Sequence, residues 1–126
     1  MSQEDIIHHL FPKDDLVWTY VIENSEKEVT DFFSMYRLSQ TCTNAEAMQL
    51  GHTIMHSGCM FYYGLTVNNI IEVMKQCLWL AKEELECDAF SAMTIMDNNP
   101  QQLIEELGFL AGDGCLHWYL INWSLG

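Results

Sequence analysis

Positive charge is what this chain has least of. Across 126 residues it carries five basic side chains (Lys13, Lys27, Arg37, Lys75 and Lys82) against 18 acidic ones, a formal net charge of -13. That field repels phosphate, so neither nucleic acid nor an anionic membrane is an expected partner, whereas basic peptides are favoured. A pocket for coenzyme A is equally hard to build. Its phosphates require clustered Lys or Arg, or a Gly-rich loop opening a helix, and Gln49-Leu50-Gly51 is a poor match for such a loop. Behind Met1 there is no apolar signal core, and no run nears the roughly 20 apolar residues that span a bilayer. A soluble, cytoplasmic protein without membrane insertion is expected. The five cysteines (Cys42, Cys59, Cys77, Cys87 and Cys115) are odd in number and lack paired spacing. They read as reduced thiols, buried or half-buried, rather than a disulfide frame.

What is present is ample apolar material: 49% of residues, with four Trp and eight Met. One domain over 1–126 follows, with residues 1–13 read as a flexible leading segment because apolar residues do not recur there at regular intervals. Leu16 to Ile22 alternates in a β-rich run and predicts a buried strand. After Glu23-Asn24-Ser25-Glu26-Lys27, Val29 to Leu38 resumes the pattern, which predicts an antiparallel hairpin ended by Arg37 and the polar Ser39 to Asn44. Ala45 to Gly51 fits one helical turn. Ile54 to Thr66 reads as a third strand with a bend or bulge invited at Ser57-Gly58. Asn69 and Glu72 have capping-box spacing ahead of Ile70, Met74, Cys77, Leu78, Ala81 and Leu85, so a helix is expected over 70–85. Ala89 to Ile95 has strand length. Asp97-Asn98-Asn99-Pro100 then offers a cap and a first-turn proline to a helix through Leu103, Ile104 and Leu107 that Gly108 ends. Cys115 to Trp123 is expected to be the last strand. The order β-β-β-α-β-α-β makes this an α+β protein, a mixed sheet with flanking helices.

Isolated chemical constellations are weak. His52 and His56 stand four apart as zinc ligands can, but no Glu follows His52 and no third ligand is evident, so no metal is expected. His8, His9 and His117 read as packing or surface residues. The pairs Asp14-Asp15, Glu83-Glu84 and Glu105-Glu106 read as solvated faces, and no thiol has a nucleophile motif around it.

Several short words nonetheless occur together: Phe11-Pro12, Thr19-Tyr20-Val21, Val29-Thr30-Asp31-Phe32-Phe33-Ser34, Phe61-Tyr62 and Leu80-Ala81-Lys82. They continue through Asp88-Ala89-Phe90, Met96-Asp97-Asn98, Gly112-Asp113-Gly114 with Leu116, and Tyr119-Leu120 before Asn122-Trp123. In this order along nearly the whole chain, they resemble the second half of the N-myristoyltransferases, which move myristate from coenzyme A to an amino-terminal glycine. The resemblance implies a single half of a duplicated architecture of the GNAT-like acyl-CoA N-acyltransferase fold. The family's first half, which carries most of the acyl-coenzyme A site and the oxyanion hole, has no counterpart here. No cofactor is therefore expected in this chain, myristoyl-CoA entering only if such a half completes it. The family's terminal carboxylate acts as base, and Gly126 is expected to fall too early for that role, leaving no catalytic residue to assign.

For peptide contact the resemblance points to Gly112, Asp113, Gly114 and Leu116, with Gln40 and Cys59 standing where the family carries other residues at the groove. Independently, two glycines permit a tight turn and close backbone approach, and Asp113 can accept from a peptide amine. The function expected is a stand-alone, non-catalytic module that holds glycine-starting or basic peptides. The alternative is an active glycylpeptide N-myristoyltransferase when a separate first half completes it. A half of a duplicated fold also exposes what its sister covers, so a homodimer or a protein partner is expected on that surface.

Overall fold

The chain begins with a helix that the hydrophobic pattern did not announce. In the computed structural model, which describes residues 2–51, 53–117 and 119, α1 spans Gln3–Leu10. Its start is a reciprocal cap: Ser2 Oγ accepts from Asp5 N–H at 3.2 Å, and Ser2 N–H donates to the Asp5 carboxylate at 2.8 Å. With Asp in place of Glu at the third helical position, the signature is less familiar, and the leading segment carries a helix over Gln3–Leu10 that pattern reading did not place there. Glu4 and Asp5 in the first turn and His8 and His9 in the last complement the helix dipole.

The next elements are β1 (Val17–Glu23), β2 (Val29–Thr41), α2 (Ala45–Gln49) and β3 (Ile54–Gly64). They are followed by α3 (Ile70–Glu83), β4 (Ala89–Ser91) and α4 (Pro100–Leu107). The four strands form one sheet in the order β1-β2-β3-β4, antiparallel except that β3 and β4 run parallel. The expected mixed sheet with helices is therefore the observed architecture. Four expectations are corrected. Strand β2 runs past Arg37 to Thr41, because β3 supplies partners as far as Thr41 opposite Ile54. The irregularity in β3 lies not at Ser57-Gly58 but between Met60 and Tyr63, which face Met35 and Phe33, so Phe61 and Tyr62 together oppose Ser34. Strand β4 stops at Ser91 rather than Ile95. The stretch Cys115–His117 and Tyr119, read as a strand, has no regular structure, and Trp118 and 120–123 lie outside the described residues.

One sheet face builds the core. Phe33 and Met35 of β2 and Met60 and Tyr63 of β3 cluster with Ile71, Val73, Met74, Cys77, Ala81 and Leu85, and with Leu103 of α4. Trp18, Tyr20 and Ile22 alternate onto the same face from β1, Tyr20 stacking on Phe33 at 5.4 Å. Helix α3 is capped as expected, Asn69 accepting from Glu72 N–H at 3.0 Å. Asn99 caps α4 with Pro100 in its first turn, and Gly108, at φ 71°, ends it in the left-handed conformation that favours glycine. Arg37 ties the sheet to the end of α3: one guanidinium nitrogen donates to Leu85 O at 2.6 Å and another meets Asp15 at 3.0 Å. Its planar group lies 5.4 Å from the Trp18 ring centroid.

Asp31, 1% exposed, performs the second tie. Its carboxylate accepts from the backbone N–H groups of Thr66 and Val67, from Asn68 Nδ2 at 2.7 Å and from Thr30 Oγ1 at 2.9 Å. These donors, the Val67 N–H foremost, hold the carboxyl well below the usual carboxylate range against the opposing effect of burial. The sign of the pH dependence follows. A depressed folded pKa gives stability that is complete above the unfolded value of about 3.9 and is lost as pH falls from there through the folded value. An Asp31→Asn variant keeps acceptors for the two amides but turns its own NH2 group toward donors. It is expected to have a lower urea midpoint at neutral pH and a flatter dependence of stability on pH below about 4, where the wild-type chain loses this contribution. A second expectation concerns Gly58, where an added Cβ would stand 2.9 Å from Phe90 Cδ2 and 3.0 Å from Cys87 Sγ. Gly58→Ala should cost about 1–3 kcal/mol in urea unfolding, because a ring and a sulfur in the β3–β4 seam must both give way.

Candidate functional site

Strands β3 and β4 pair over three residues only, ending at Cys59 opposite Ser91. Beyond that point β3 continues through its bulge, and a concave region lies between the chain from Phe90 to Ile95 and α4 with the segment after it. Three adjoining cavities of about 430, 140 and 450 Å³ all share Ala92 and Gly112 as lining residues. The first reaches Ser91, Leu78 and Phe109, and the third reaches Met93, Thr94, Ile95, Gly114 and Leu116.

The wall from 93 to 98 is held by a buried polar network. Asn98 donates to Met93 O at 2.7 Å, the Tyr63 hydroxyl donates to Asn98 Oδ1 at 3.2 Å, and Asp97 N–H donates back to that hydroxyl at 2.9 Å. Burial pushes the Tyr63 phenol above its ordinary value, which keeps it a donor. Met96 sits at φ 57°, a left-handed conformation uncommon for its side chain, so the network holds a locally strained turn after β4.

At the seam, Cys59 Sγ lies 3.1 Å from Ser91 Oγ, and Tyr36 stands opposite Cys59 across β2 and β3. Burial, and then hydrogen bonding to the Cys59 thiol, push the Tyr36 phenol up to about 12. Tyr36 therefore stays protonated at physiological pH, and with Cys59 and Ser91 it forms a cluster suited to donating and accepting hydrogen bonds.

The structure thus brings Gly112, Gly114 and Leu116 together along the concave wall, with Cys59 adjoining it through Ser91. Gln40 is not there. It pairs with Met55 four residues along β2 from Tyr36, about 13 Å away, and is exposed. The tight turn expected at Gly112-Asp113-Gly114 is absent as well: positive φ among the described glycines occurs at Gly51 and Gly108, and both Gly112 and Gly114 have open space around them. Asp113 is exposed and makes no hydrogen bond among the described residues. Ser91, Ala92, Met93, Thr94 and Ile95 are lining residues that pattern reading did not single out as a site, although Phe90 and Met96-Asp97-Asn98 beside them carried part of the family resemblance.

Phosphate has few places to bind. The amides of Thr66 and Val67, just ahead of α3, are already occupied by the Asp31 carboxylate, and Arg37 is committed to Leu85 O and Asp15. Lys82 pairs with Glu83 at 3.4 Å. Among the described residues no group of three or more His, Cys, Asp or Glu is placed to hold a metal ion, and His52 of the spaced His pair lies outside them. No described helix is long and apolar enough to cross a membrane.

Comparison with known proteins agrees with the fold. A family model described as the C-terminal domain of myristoyl-CoA:protein N-myristoyltransferase matches residues 1–126. The chain is 33% identical over 123 residues to glycylpeptide N-tetradecanoyltransferase 2 of Bos taurus, covering 98% of this chain and 23% of that protein. It is 34% identical over 126 residues to a probable glycylpeptide N-tetradecanoyltransferase of Caenorhabditis elegans, covering 26% of that protein. The chain therefore spans about a quarter of the length of these curated relatives. Among solved structures, an N-myristoyltransferase of Saccharomyces cerevisiae with bound myristoyl-CoA superposes with a TM-score of 0.75 at 23% identity, covering 90% of this chain and 29% of that one. A ribosomal-protein-alanine N-acetyltransferase of Brucella melitensis superposes at 0.58 with 12% identity, covering 98% and 82%, which extends the likeness of fold to acetyltransferases.

All five cysteines are free thiols, and the expectation that all would be at least half-buried fails at Cys115, which is exposed. Burial pushes the Cys77 thiol up to about 12 and raises Cys87 as well. Timed alkylation with iodoacetamide followed by peptide mass mapping should therefore modify Cys115 first and Cys77 only after unfolding.

Proposed function

Since the chain belongs to the N-myristoyltransferase family as its C-terminal domain, we propose that it is a non-catalytic module that holds glycine-starting or basic peptide segments. The concave region around Ala92 and Gly112 is the place we assign to them. The observation that carries this reading is the run of three cavities sharing those two residues, in a protein whose net charge of -13 draws cationic peptides. An elongated region lined by Ala92 to Ile95, Gly112 and Gly114 suits an extended peptide. A cytoplasmic setting, with the thiols reduced, fits the same role.

Binding of coenzyme A by this chain alone is not part of the proposal. The amides at the start of α3 and the guanidinium of Arg37, the groups best suited to phosphate, are engaged inside the protein. A second reading is supported by coverage. The relatives are about four times as long, so a first half supplied in trans would turn the same concave region into part of a glycylpeptide N-myristoyltransferase.

Isothermal titration with a basic glycine-starting octapeptide tests the first reading. Saturable heat without any acyl donor is expected, and it should weaken when salt is raised. Absence of heat across the accessible concentration range would sink the peptide-binding role. Thiol release from myristoyl-CoA in the presence of the peptide is expected to stay at background for the chain alone. A rise only after addition of a relative's amino-terminal portion would establish the second reading.

A further inference from the structure

The other face of the sheet carries an unfinished surface that the candidate site does not use. Val17 exchanges both backbone hydrogen bonds with Lys13, so its N–H and C=O point away from β2. Antiparallel pairing alternates, and Thr19 and Val21, two and four residues on, must also turn N–H and C=O outward, along the free edge of β1. No hydrogen bond among the described residues meets those four groups. The side chains of the same two residues line an apolar groove of about 560 Å³, closed by Ile6, Leu10, Phe11 and Pro12 from the α1 region and by Phe32. The hydroxyl of Thr19 is already satisfied by Leu10 O and Ser34, and Val21 is 56% exposed. Edge strands in stable monomers are ordinarily blunted by lysine, proline or a covering element, and among the described residues none pairs with this one over Thr19 to Val21.

We propose that the β1 edge and its groove form a docking surface for a cationic polypeptide segment that adds a strand to the sheet. Its backbone pairs with Thr19 and Val21, and its alternate apolar side chains enter the groove. Charge selects the occupant. Exposed Glu23 ends the edge strand and Lys13 pairs at its start, so the edge itself is balanced, while the chain as a whole carries -13. A second copy would bring the same negative charge, whereas a strand with outward Lys or Arg is attracted.

The probe is a fluorescein-labelled nonapeptide of alternating Val and Lys, followed by fluorescence anisotropy. Its control has the same length, with Pro in place of the central Val. Saturable binding of the first and none of the second is expected, weakened by salt, with slowed hydrogen exchange at the amides of Thr19 and Val21. Val21→Pro removes an outward N–H without touching the β2 ladder and should weaken binding by about tenfold or more, equal to about 1.4 kcal/mol. If that variant does not fold by circular dichroism, Val21→Lys, which sets a like charge at the edge, should weaken binding similarly. The proposal is overturned by any of three results: no anisotropy change, binding undiminished in the folded variant, or a protein-alone mass in light scattering that doubles with concentration and reverts in Val21→Lys. The last result would make a second copy the occupant.

Discussion

The carboxylate of Asp31 is the group on which most of this structure hangs. It lies near the start of β2, and its two oxygens collect two backbone amides and one side-chain amide from the loop that leaves β3 and enters α3. Without it those amides would lose their charged acceptor and the loop its tie to β2. With it the loop is fixed, α3 is launched at one position over β2 and β3, and Met74 and Cys77 meet Phe33, Met35 and Met60. Arg37, six residues further along β2, fixes the other end of the same helix through Leu85 O. One strand thus holds both ends of the central helix by charged groups, and the apolar interface between them sets everything downstream.

Much of that scheme was readable in the sequence, because its signals are local. Apolar alternation at Leu16–Ile22 and Val29–Leu38, the cap at Asn69 and the Asn99-Pro100 start of α4 each declare themselves within a few residues. What failed depended on partners distant in sequence. The extension of β2 through Thr41 is driven by pairing with Ile54, which prevails over the polarity of Ser39 and Gln40. The bulge moved to Phe61-Tyr62, because Ser34 leaves little side chain to oppose two aromatic residues; Ser57-Gly58 instead stays paired, Gly58 admitting the Phe90 ring at close range. The turn that follows β4 is held by Tyr63, thirty-odd residues before Asp97 and Asn98, through its hydroxyl. Gly112 and Gly114 pointed to a turn by composition alone, and composition cannot tell a required positive φ from a need for open space.

Family membership and present activity separate at the same residues. The elements that define the domain are those with buried partners: β2, β3, α3, and the Tyr63–Asn98 network. The residues offered for peptide contact are exposed and lightly held, as at Asp113, or are removed from the concave region, as at Gln40. Selection for folding acts on the first group whatever the chain now binds, so resemblance in the core speaks for descent and fold rather than for retained chemistry. The Cys59–Ser91 pair stands between the two groups. It closes the β3–β4 seam, and so it shapes the concave region without offering a charge to it.

Charge and exposure finally have to be weighed together. A sheet with one face packed by α3 and α4, and with Val21, Leu38 and Leu16 exposed elsewhere, has apolar surface and free backbone enough to self-associate. A net charge of -13 on so small a domain opposes that outcome, since any self-pairing brings like charges within a Debye length of about 8–10 Å. The same charge attracts cationic chains at no further cost. Acidity, the first property visible in the sequence, therefore acts less as a feature of one site than as a filter over the whole surface: it opposes self-pairing along the edge of β1 and favours the cationic segment proposed for it.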